Sequence, residues 1–490
     1  MNLHTPEQIQ LARQRAADDP SAKRLAERIY SAAEPWLDRD DAFIRDFMPE
    51  AAVPRGHMVN SAAFSSTYAT GCPVHNTPPE GFRGYPQVDW IHDPFVDRWH
   101  ITCPVGGETY PSNDFEAYYR TGMQDRSLLT GPHPDDGFGW RPEGSPYRFW
   151  FIAHCASRIW SIVLSGLGML SQAYMLSGDP RYAHKALVIL DRLAEIYPDM
   201  DYATQGVYSL ELSPGYDGKI ASLIGETHTV HNLCEAFDAV RDAIPDDPTF
   251  GPTADATLAK LERGIVEAGI EGVYMGQVRG NYGMHQMALL YAAVTLGDQR
   301  EIDRAVDWAL NHTGEATRHK EMWTLIDDYV FRDRAGHAEG VSLALDNLHF
   351  REGIGWESSP GYNGSWIRHL APVAQLLERL GIRVWDEPKF RRMYRWPVEM
   401  ACLDAFTPAI GDSGTLSSGL IQTGPDTLRA AYRATQDPLI GELLRNHPFG
   451  YNTVDSLFEE PLDPAPSKEG AAEIRRLTTG SRLMGGYGLA

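Results

Sequence analysis

The stretch RFWFIAHCASRIWSIVLSGLGMLSQAYML (148–176) decides the fold. Apolar side chains occupy nearly every position, which predicts a helix buried between two layers of other elements. The turn SGDP follows, and then RYAHKALVILDRLAEIYP (181–198), in which Ala, Leu and Ile recur at helical spacing. A buried helix, a short Gly-Asp turn and an amphipathic partner together predict a helical hairpin.

The same unit recurs along the chain. HQMALLYAAVT (285–295) is followed by the turn LGDQ and by REIDRAVDWALNH (300–312). A third pair is expected through WIRHLAPVAQLLERLGI (366–382) and EPKFRRMYRWPVEMACLDA (387–405). Because the intervals between units vary, a toroid fits better than a uniform solenoid. The predicted fold is mainly α: an incomplete (α/α) toroid of helical hairpins, with the start of an antiparallel β-sheet domain at the C-terminus.

Three regions are predicted. Residues 1–146 would form an N-terminal helix and a long wrapping segment, rich in Pro, Gly and Asn, packed on the toroid. Residues 147–402 would form the catalytic toroid. Residues 403–490 would be a connection and the first strands of a sheet domain that is cut short, because AEIRRLTTGSRLMGGYGLA (472–490) alternates like the opening of a sheet.

Charge argues against nucleic acid as a partner. The chain has 44 basic and 66 acidic residues, a net charge of −22, and no run of Lys or Arg. A polyanionic substrate would therefore need a locally basic cleft. No stretch is expected to span a membrane, and the N-terminus lacks the apolar core of a signal peptide. We expect a cytoplasmic protein, or a periplasmic or secreted one whose signal was removed. A homodimer is left open.

The cysteines do not predict a disulfide scaffold. There are five of them, widely spaced and odd in number. Cys72 opens CPVH and Cys103 opens CPVG, which look like two halves of a zinc ribbon. Only Cys72, His75 and Cys103 could serve as ligands, one short of a closed structural site. Buried or inert thiols are favoured, and no metal is predicted there.

Three segments carry polar groups that a plain helical core does not need. In RGNYGMHQ (279–286), Asn281 can cap the following helix, and His285 lies one turn further on the same face. Either residue could have only a structural role. In GETHTVHN (225–232), Glu226 is accompanied by His228 and His231, which would share a helix face and line a cleft or the surface.

The third segment is GIGWESSPGYNGSW (353–366). Pro360 and Gly361 predict a tight turn that fixes Tyr362 on a stiff loop. Ordinary loop packing would also explain a tyrosine beside Pro and Gly. Aromatic and polar side chains are dense here, with Trp356, Glu357 and Asn363 next to Tyr362, and this density favours a sugar-binding surface.

The ordered set RGNYGMHQ, WESSPGYN and TPAIGDSGT (407–415) resembles the heparinase II/III-like polysaccharide lyases and their alginate-lyase relatives over roughly residues 147–490. The resemblance implies a toroid followed by β-sheet domains, with the site between them. It implies that Asn281 binds the uronate carboxylate and that Tyr362 acts as base and acid. Some relatives have His directly after the Asn. Tyr282 stands there in this chain, which leaves His285 as the candidate histidine and the syn or anti course open.

The prediction is a polysaccharide lyase that cleaves uronic-acid-containing polysaccharide by β-elimination. No organic cofactor is implied, and the only partner predicted is an acidic polysaccharide or oligosaccharide. Catalysis is assigned to Tyr362, Asn281 and His285. The residues assigned to substrate binding flank these three in the same segments: Arg279, Tyr282, Glu226, His228, His231, Trp356, Glu357 and Asn363.

Three alternatives remain. A uronate C5-epimerase would form the same carbanion and reprotonate it. An inverting (α/α) glycosidase would need two carboxylates about 6.5–9.5 Å apart, for which Glu226, Glu357 and Asp412 are the candidates. A helical-repeat scaffold would keep its connections short, and the wrapping segment argues against it.

Overall fold

The computed structural model describes residues 2–56, 60–62, 72–75, 90–145, 147–207, 209–210, 217–278, 280–312, 340–347, 349–355, 359–411, 424–447 and 450–481. Within them the protein is mainly α, as the sequence predicts. The α-helices are α1 (Pro6–Asp18), α2 (Pro20–Leu37), α3 (Asp41–Phe47), α4 (Phe115–Arg120), α5 (Phe151–Ser177), α6 (Pro180–Ile196), α7 (Tyr202–Gln205), α8 (Leu223–Val240), α9 (Ala254–Leu261), α10 (Ala268–Tyr274), α11 (Met284–Leu296), α12 (Gln299–Asn311), α13 (Val341–Asn347), α14 (Pro360–Arg379), α15 (Pro388–Met393), α16 (Trp396–Met400), α17 (Pro425–Thr435), α18 (Pro438–Asn446), α19 (Asp455–Phe458) and α20 (Lys468–Thr479).

Strands are short and few in the described part of the chain. β1 (Asn60–Ala62) pairs antiparallel with β4 (Tyr147–Phe149), and β2 (Ile101–Thr102) pairs antiparallel with β3 (Thr109–Tyr110). In the first pair Asn60 lies opposite Phe149, and in the second Ile101 lies opposite Tyr110. The second pair forms a hairpin in the segment that precedes α5.

The Gly-Asp turns form the hairpins as predicted. After α5, Gly178 takes φ +73°, a left-handed conformation that ends a helix at little cost for glycine. Asp179 then accepts a hydrogen bond from the Arg181 N–H and begins α6. Gly297, at φ +78°, and Asp298 repeat this arrangement between α11 and α12.

Successive hairpins place their apolar helices side by side in an (α/α) toroid. α5 contacts α8, α8 contacts α11, and α11 contacts α14, while α6, α10 and α12 pack against these helices. By length and composition α5 is long and apolar enough to cross a membrane, contrary to the expectation that no stretch is. In this fold it packs against α2, α6 and α8.

The two ends of the chain meet and complete the ring. The His4 ring stacks on Phe458 with 4.1 Å between ring centroids. The Arg15 guanidinium, which is buried, donates to the Leu457 carbonyl at 2.7 Å. Arg379, at the end of α14, donates to the Leu3 carbonyl at 2.6 Å. These contacts join residues more than 370 positions apart.

The expectation of strands after residue 403 is wrong within the described residues. Residues 425–435, 438–446 and 468–479 are helical instead. In α20, Ile474 and Leu477 are three positions apart and therefore share one helix face. They pack against Leu439 and Leu443 of α18, so helical periodicity with a buried partner outweighs the short alternation in the sequence.

The segment before α5 is anchored on the first turn of that helix. The Asp135 carboxylate is fully buried and accepts a hydrogen bond from the Ile152 N–H at 3.1 Å. Its other oxygen accepts from Gly137 and Gly139, at 2.7 and 3.0 Å. The Tyr110 ring stacks on Phe151 at 4.8 Å. The β2–β3 hairpin is therefore fixed against the start of the central helix.

Candidate functional site

Asn281 lies in a tight turn that precedes α11. Gly283, at φ +90°, is the residue that begins the helix, so the expected cap by Asn281 is not formed. The Asn281 carbonyl accepts from the Met284 N–H at 3.0 Å. Because Asn281 precedes the helix, it does not share a helix face with His285, which corrects the predicted spacing. Its side chain is half-buried, and no described residue hydrogen-bonds its amide.

Tyr362 lies in the first turn of α14 and not on a loop. Ser359 is the residue before the helix, and Pro360 occupies its first position, where a fixed φ and a missing N–H cost nothing. The predicted tight turn at Pro360–Gly361 is therefore wrong. The Tyr362 side chain is 39% exposed, and its hydroxyl has no hydrogen-bond partner among the described residues.

The turn that carries Asn281 and the helix that carries Tyr362 are in direct contact. The Tyr282 and Trp366 rings meet edge to face with 4.8 Å between centroids. A Cβ added at Gly283 would lie 3.1 Å from the His369 Cβ and 3.3 Å from the Trp366 carbonyl. Asn281 is the residue before Tyr282, and Tyr362 lies one helical turn before Trp366. Both candidate residues are therefore close in sequence to the two rings in contact.

A histidine pair joins α8 to the same face of α14. His369 is seven positions after Tyr362, which places both on one face of the helix. Its ring lies 5.1 Å from the ring of His228 on α8. The His369 Nδ1 donates to the Ser365 carbonyl at 2.7 Å, which leaves Nε2 as the acceptor of the neutral ring.

Burial sets the charge of this pair. It lowers the pKa of His369 to about 4, and it also lowers the pKa of His228, with the nearby His231 contributing in the same direction. Both imidazoles are therefore neutral near pH 7. Arg368 is an exposed cation on this helix, and its guanidinium extends back over Gly364 toward the helix N-terminus.

His231 and Glu235 lie further along α8, on the side that contacts α11. The His231 ring lies 4.3 Å from Tyr291 of α11, and its Nε2 is 3.5 Å from the Glu235 carboxylate. Tyr291 and Asp455 also line a cavity of about 340 Å³ beside the N-terminal residues. The two histidines that were predicted to line one cleft therefore have different neighbours. His228 contacts α14, and His231 contacts Tyr291 of α11.

Several predicted site residues are buried. Glu226 accepts from the Tyr197 hydroxyl and the Ala221 N–H, both at 2.7 Å, and is fully enclosed. The His285 Nδ1 accepts from the Gly280 N–H at 3.4 Å, and its ring meets Trp308 of the outer layer. Tyr282 and Asn363 are 0% and 1% exposed. These buried side chains support the turn before α11 and the helix α14, and a substrate could not contact them.

Other predicted residues lie outside the part of the chain that the structure describes. These are Arg279, Trp356, Glu357 and Asp412. His369 and Arg368 were not among the predicted site residues. A signal for His369 was present, because it follows Tyr362 by two helical turns, but the expectation of a loop at Tyr362 concealed that spacing.

The chain is thus a mainly α protein built of helical hairpins. Asn281, Tyr362, His228 and His369 lie on the elements that meet where α8, α11 and α14 pack. No protein-family model matches it, and no curated protein does. Among solved structures, an alginate lyase from Bacteroides ovatus is similar, with a TM-score of 0.41 and 12% identity, over 94% of this chain and 96% of that chain. The resemblance to the heparinase II/III-like family stays a prediction.

Proposed function

We propose that the chain is a polysaccharide lyase that cleaves a uronic-acid-containing polysaccharide by β-elimination at the junction of α8, α11 and α14. The observation that carries the proposal is the contact between Tyr282 and Trp366, which brings the elements of Asn281 and Tyr362 together. Both of those side chains have polar groups that no described residue engages. A site for a sugar acid needs such groups.

The proposed reaction removes the C5 proton of a uronate and expels the O4 substituent. The C5–H and C4–O bonds break and a C4–C5 double bond forms. The carbanion is stabilised through the adjacent carboxylate, which the Asn281 amide would hold by donating a hydrogen bond. A donor aimed at developing negative charge is typically worth about 3–4 kcal/mol in an enclosed site.

Tyr362 would carry the proton between the two atoms. As a phenolate it accepts the C5 proton, and as a phenol it returns that proton to the departing O4, so that no proton is lost from the balance. Its exposure favours this role, because a sugar can reach a hydroxyl that no described residue engages.

The neighbouring residues would bind and orient the sugar. His228 and His369 are neutral near pH 7 and suit hydrogen bonds to hydroxyl groups, because burial lowers the pKa of both. Positive charge for the uronate would come from Arg368, since a chain of net charge −22 repels an anionic polymer elsewhere. Glu226 does not fit the role of a glycosidase acid because it is enclosed and bonded to Tyr197.

The test is to incubate the full chain with alginate, hyaluronate, heparin-like chains and ulvan, and to follow the ultraviolet absorbance of the new unsaturated sugar. Tyr362→Phe should abolish the signal, and Asn281→Ala should lower kcat/KM by about 10²-fold or more. Tyr432→Phe, on α17, is the matched control and should keep full activity.

Two other outcomes would change the assignment. Exchange of the C5 hydrogen with deuterated water, without chain cleavage, would identify an epimerase. Cleavage whose new non-reducing ends are saturated, undiminished in Tyr362→Phe, would identify a hydrolase and overturn the proposal. Absence of any reaction with all four polymers would also count against it.

A further inference from the structure

Four potential metal ligands converge beside the β2–β3 hairpin. The Sγ atoms of Cys72 and Cys103, the Nδ1 of His75 and a carboxylate oxygen of Glu108 all lie within 4.8 Å of one another. The His75 Nδ1 is 3.3 Å from the Cys72 sulfur, 3.8 Å from the Cys103 sulfur and 3.4 Å from Glu108. The imidazole therefore contacts all three other groups.

The local backbone explains why these side chains meet. Cys103 and Glu108 are the two ends of the hairpin loop, since the Cys103 N–H donates to the Glu108 carbonyl at 2.8 Å. On the other side, the N–H groups of Val74 and His75 donate to the Cys72 sulfur at 3.3 and 3.0 Å. These two donors fix the Cys72 sulfur beside the His75 ring.

The distances from the His75 Nδ1 to the other three groups fit a tetrahedral ion. Bonds of about 2.3 Å to sulfur and 2.0–2.2 Å to nitrogen or oxygen put neighbouring ligand atoms roughly 3.3–3.8 Å apart. The three distances measured from His75 span that interval. Space is kept open as well, because a Cβ at Gly106 would collide with the His75 ring and the Glu108 carboxylate.

We propose that Cys72, His75, Cys103 and Glu108 form a zinc site. Two thiolates and an imidazole select a borderline-soft ion over magnesium or calcium. The cysteines are fully buried, and the side chains of His75 and Glu108 are about one-third exposed. Three of the four ligands stand out in the sequence, and the fourth, Glu108, is supplied by the hairpin fold.

The site would be structural and independent of the proposed lyase chemistry. It would join residues 72–75 to the β2–β3 hairpin across 31 positions of sequence. The hairpin in turn stacks on the start of α5 through Tyr110 and Phe151. Bound zinc would therefore stabilise the N-terminal segment on the toroid.

The first experiment is metal analysis of the full chain purified without chelator and without a metal-affinity column. We expect about one zinc per chain. After removal of zinc, addition of Co²⁺ should give the visible bands of tetrahedral cobalt and a cobalt–thiolate charge-transfer band in the near ultraviolet. Octahedral cobalt bands without the charge-transfer band would overturn the site, and so would failure to bind either metal.

Variants assign the ligands. Cys103→Ser should remove the charge-transfer contribution of one thiolate and weaken zinc binding by about 100-fold or more, whereas Cys402→Ser should leave both unchanged. Glu108→Gln keeps both thiolates and should weaken binding while changing the visible bands. If Cys103→Ser does not fold, Glu108→Gln and a metal titration of the native chain test the zinc site instead. Unchanged affinity in Glu108→Gln would exclude Glu108, and a Cys72–Cys103 disulfide found by non-reducing peptide mapping would overturn the zinc site.

Discussion

The ring of Tyr282 meets the indole of Trp366 edge to face, with 4.8 Å between their centroids. Tyr282 belongs to the turn before α11, and Trp366 belongs to the second turn of α14. The contact fixes where the two candidate catalytic side chains stand, since Asn281 adjoins one ring and Tyr362 lies one turn from the other. Both rings are almost completely buried, so this junction is rigid.

Gly283→Ala tests the turn at this junction. The backbone at Gly283 has φ +90°, and an added Cβ would lie 3.1 Å from the His369 Cβ. We expect a loss of about 1–3 kcal/mol in the free energy of unfolding, measured with urea, together with reduced lyase activity. Gly381→Ala is the control, because its φ is +85° but nothing lies near the added Cβ. Equal effects from the two variants would show that the contact with α14 does not matter.

His369→Ala and His285→Gln separate the two candidate histidines. His369 lies on the face of Tyr362 and contacts His228, so we expect its removal to lower kcat/KM by about 10²-fold with a smaller effect on stability. His285 is 1% exposed and accepts a hydrogen bond from the Gly280 N–H, so its replacement should lower the unfolding free energy more than it lowers kcat/KM. Kinetics and urea denaturation on both variants provide the comparison. The reverse pattern would return catalysis to His285.

Glu235→Gln tests a carboxylate that faces α11. Burial raises the pKa of Glu235 to about 7, with Asp238 adding to it. A raised carboxyl pKa contributes stability that is fully present below the unfolded value near pH 4 and is lost as the pH rises through about 7.

The variant should therefore gain stability relative to the native chain as the pH rises from 4 to 7, and the difference should be constant above that. Urea denaturation across this pH range gives the difference curve. Glu27→Gln, an exposed position on α2, should give a flat curve. A flat curve for Glu235→Gln as well would mean that Glu235 ionises normally in the folded protein.

Arg15→Met tests the closure of the ring. The buried Arg15 guanidinium donates to the carbonyls of Leu457 and Glu459, which would lose their partner. We expect a loss of about 2–4 kcal/mol in the unfolding free energy, and faster proteolysis of the C-terminal helices. Arg24→Met on the exposed face of α2 should change stability by less than about 0.5 kcal/mol. Equal stability of the two variants would mean that the Arg15 hydrogen bonds do not stabilise the closed ring.

The local sequence predicted more of the fold than of the site. The first two helical hairpins follow from Gly178–Asp179 and Gly297–Asp298, because a left-handed glycine followed by a capping aspartate acts within a few residues. The turn at Tyr362 and the strands after residue 403 were wrong for one reason. Pro360 begins a helix as readily as it forms a turn, and Ile474 and Leu477 fit either period until a partner helix is known.

By itself the sequence determined the helical class, the hairpin turns and the polar segments that contain Asn281, Tyr362 and His228. Tertiary structure alone decided that His369 faces His228, that Glu108 joins Cys72, and that the two chain ends meet. The physical reason is range. Caps and periodicity act over a few residues, whereas these contacts join residues from 36 to 454 positions apart, and only packing of the whole chain selects them.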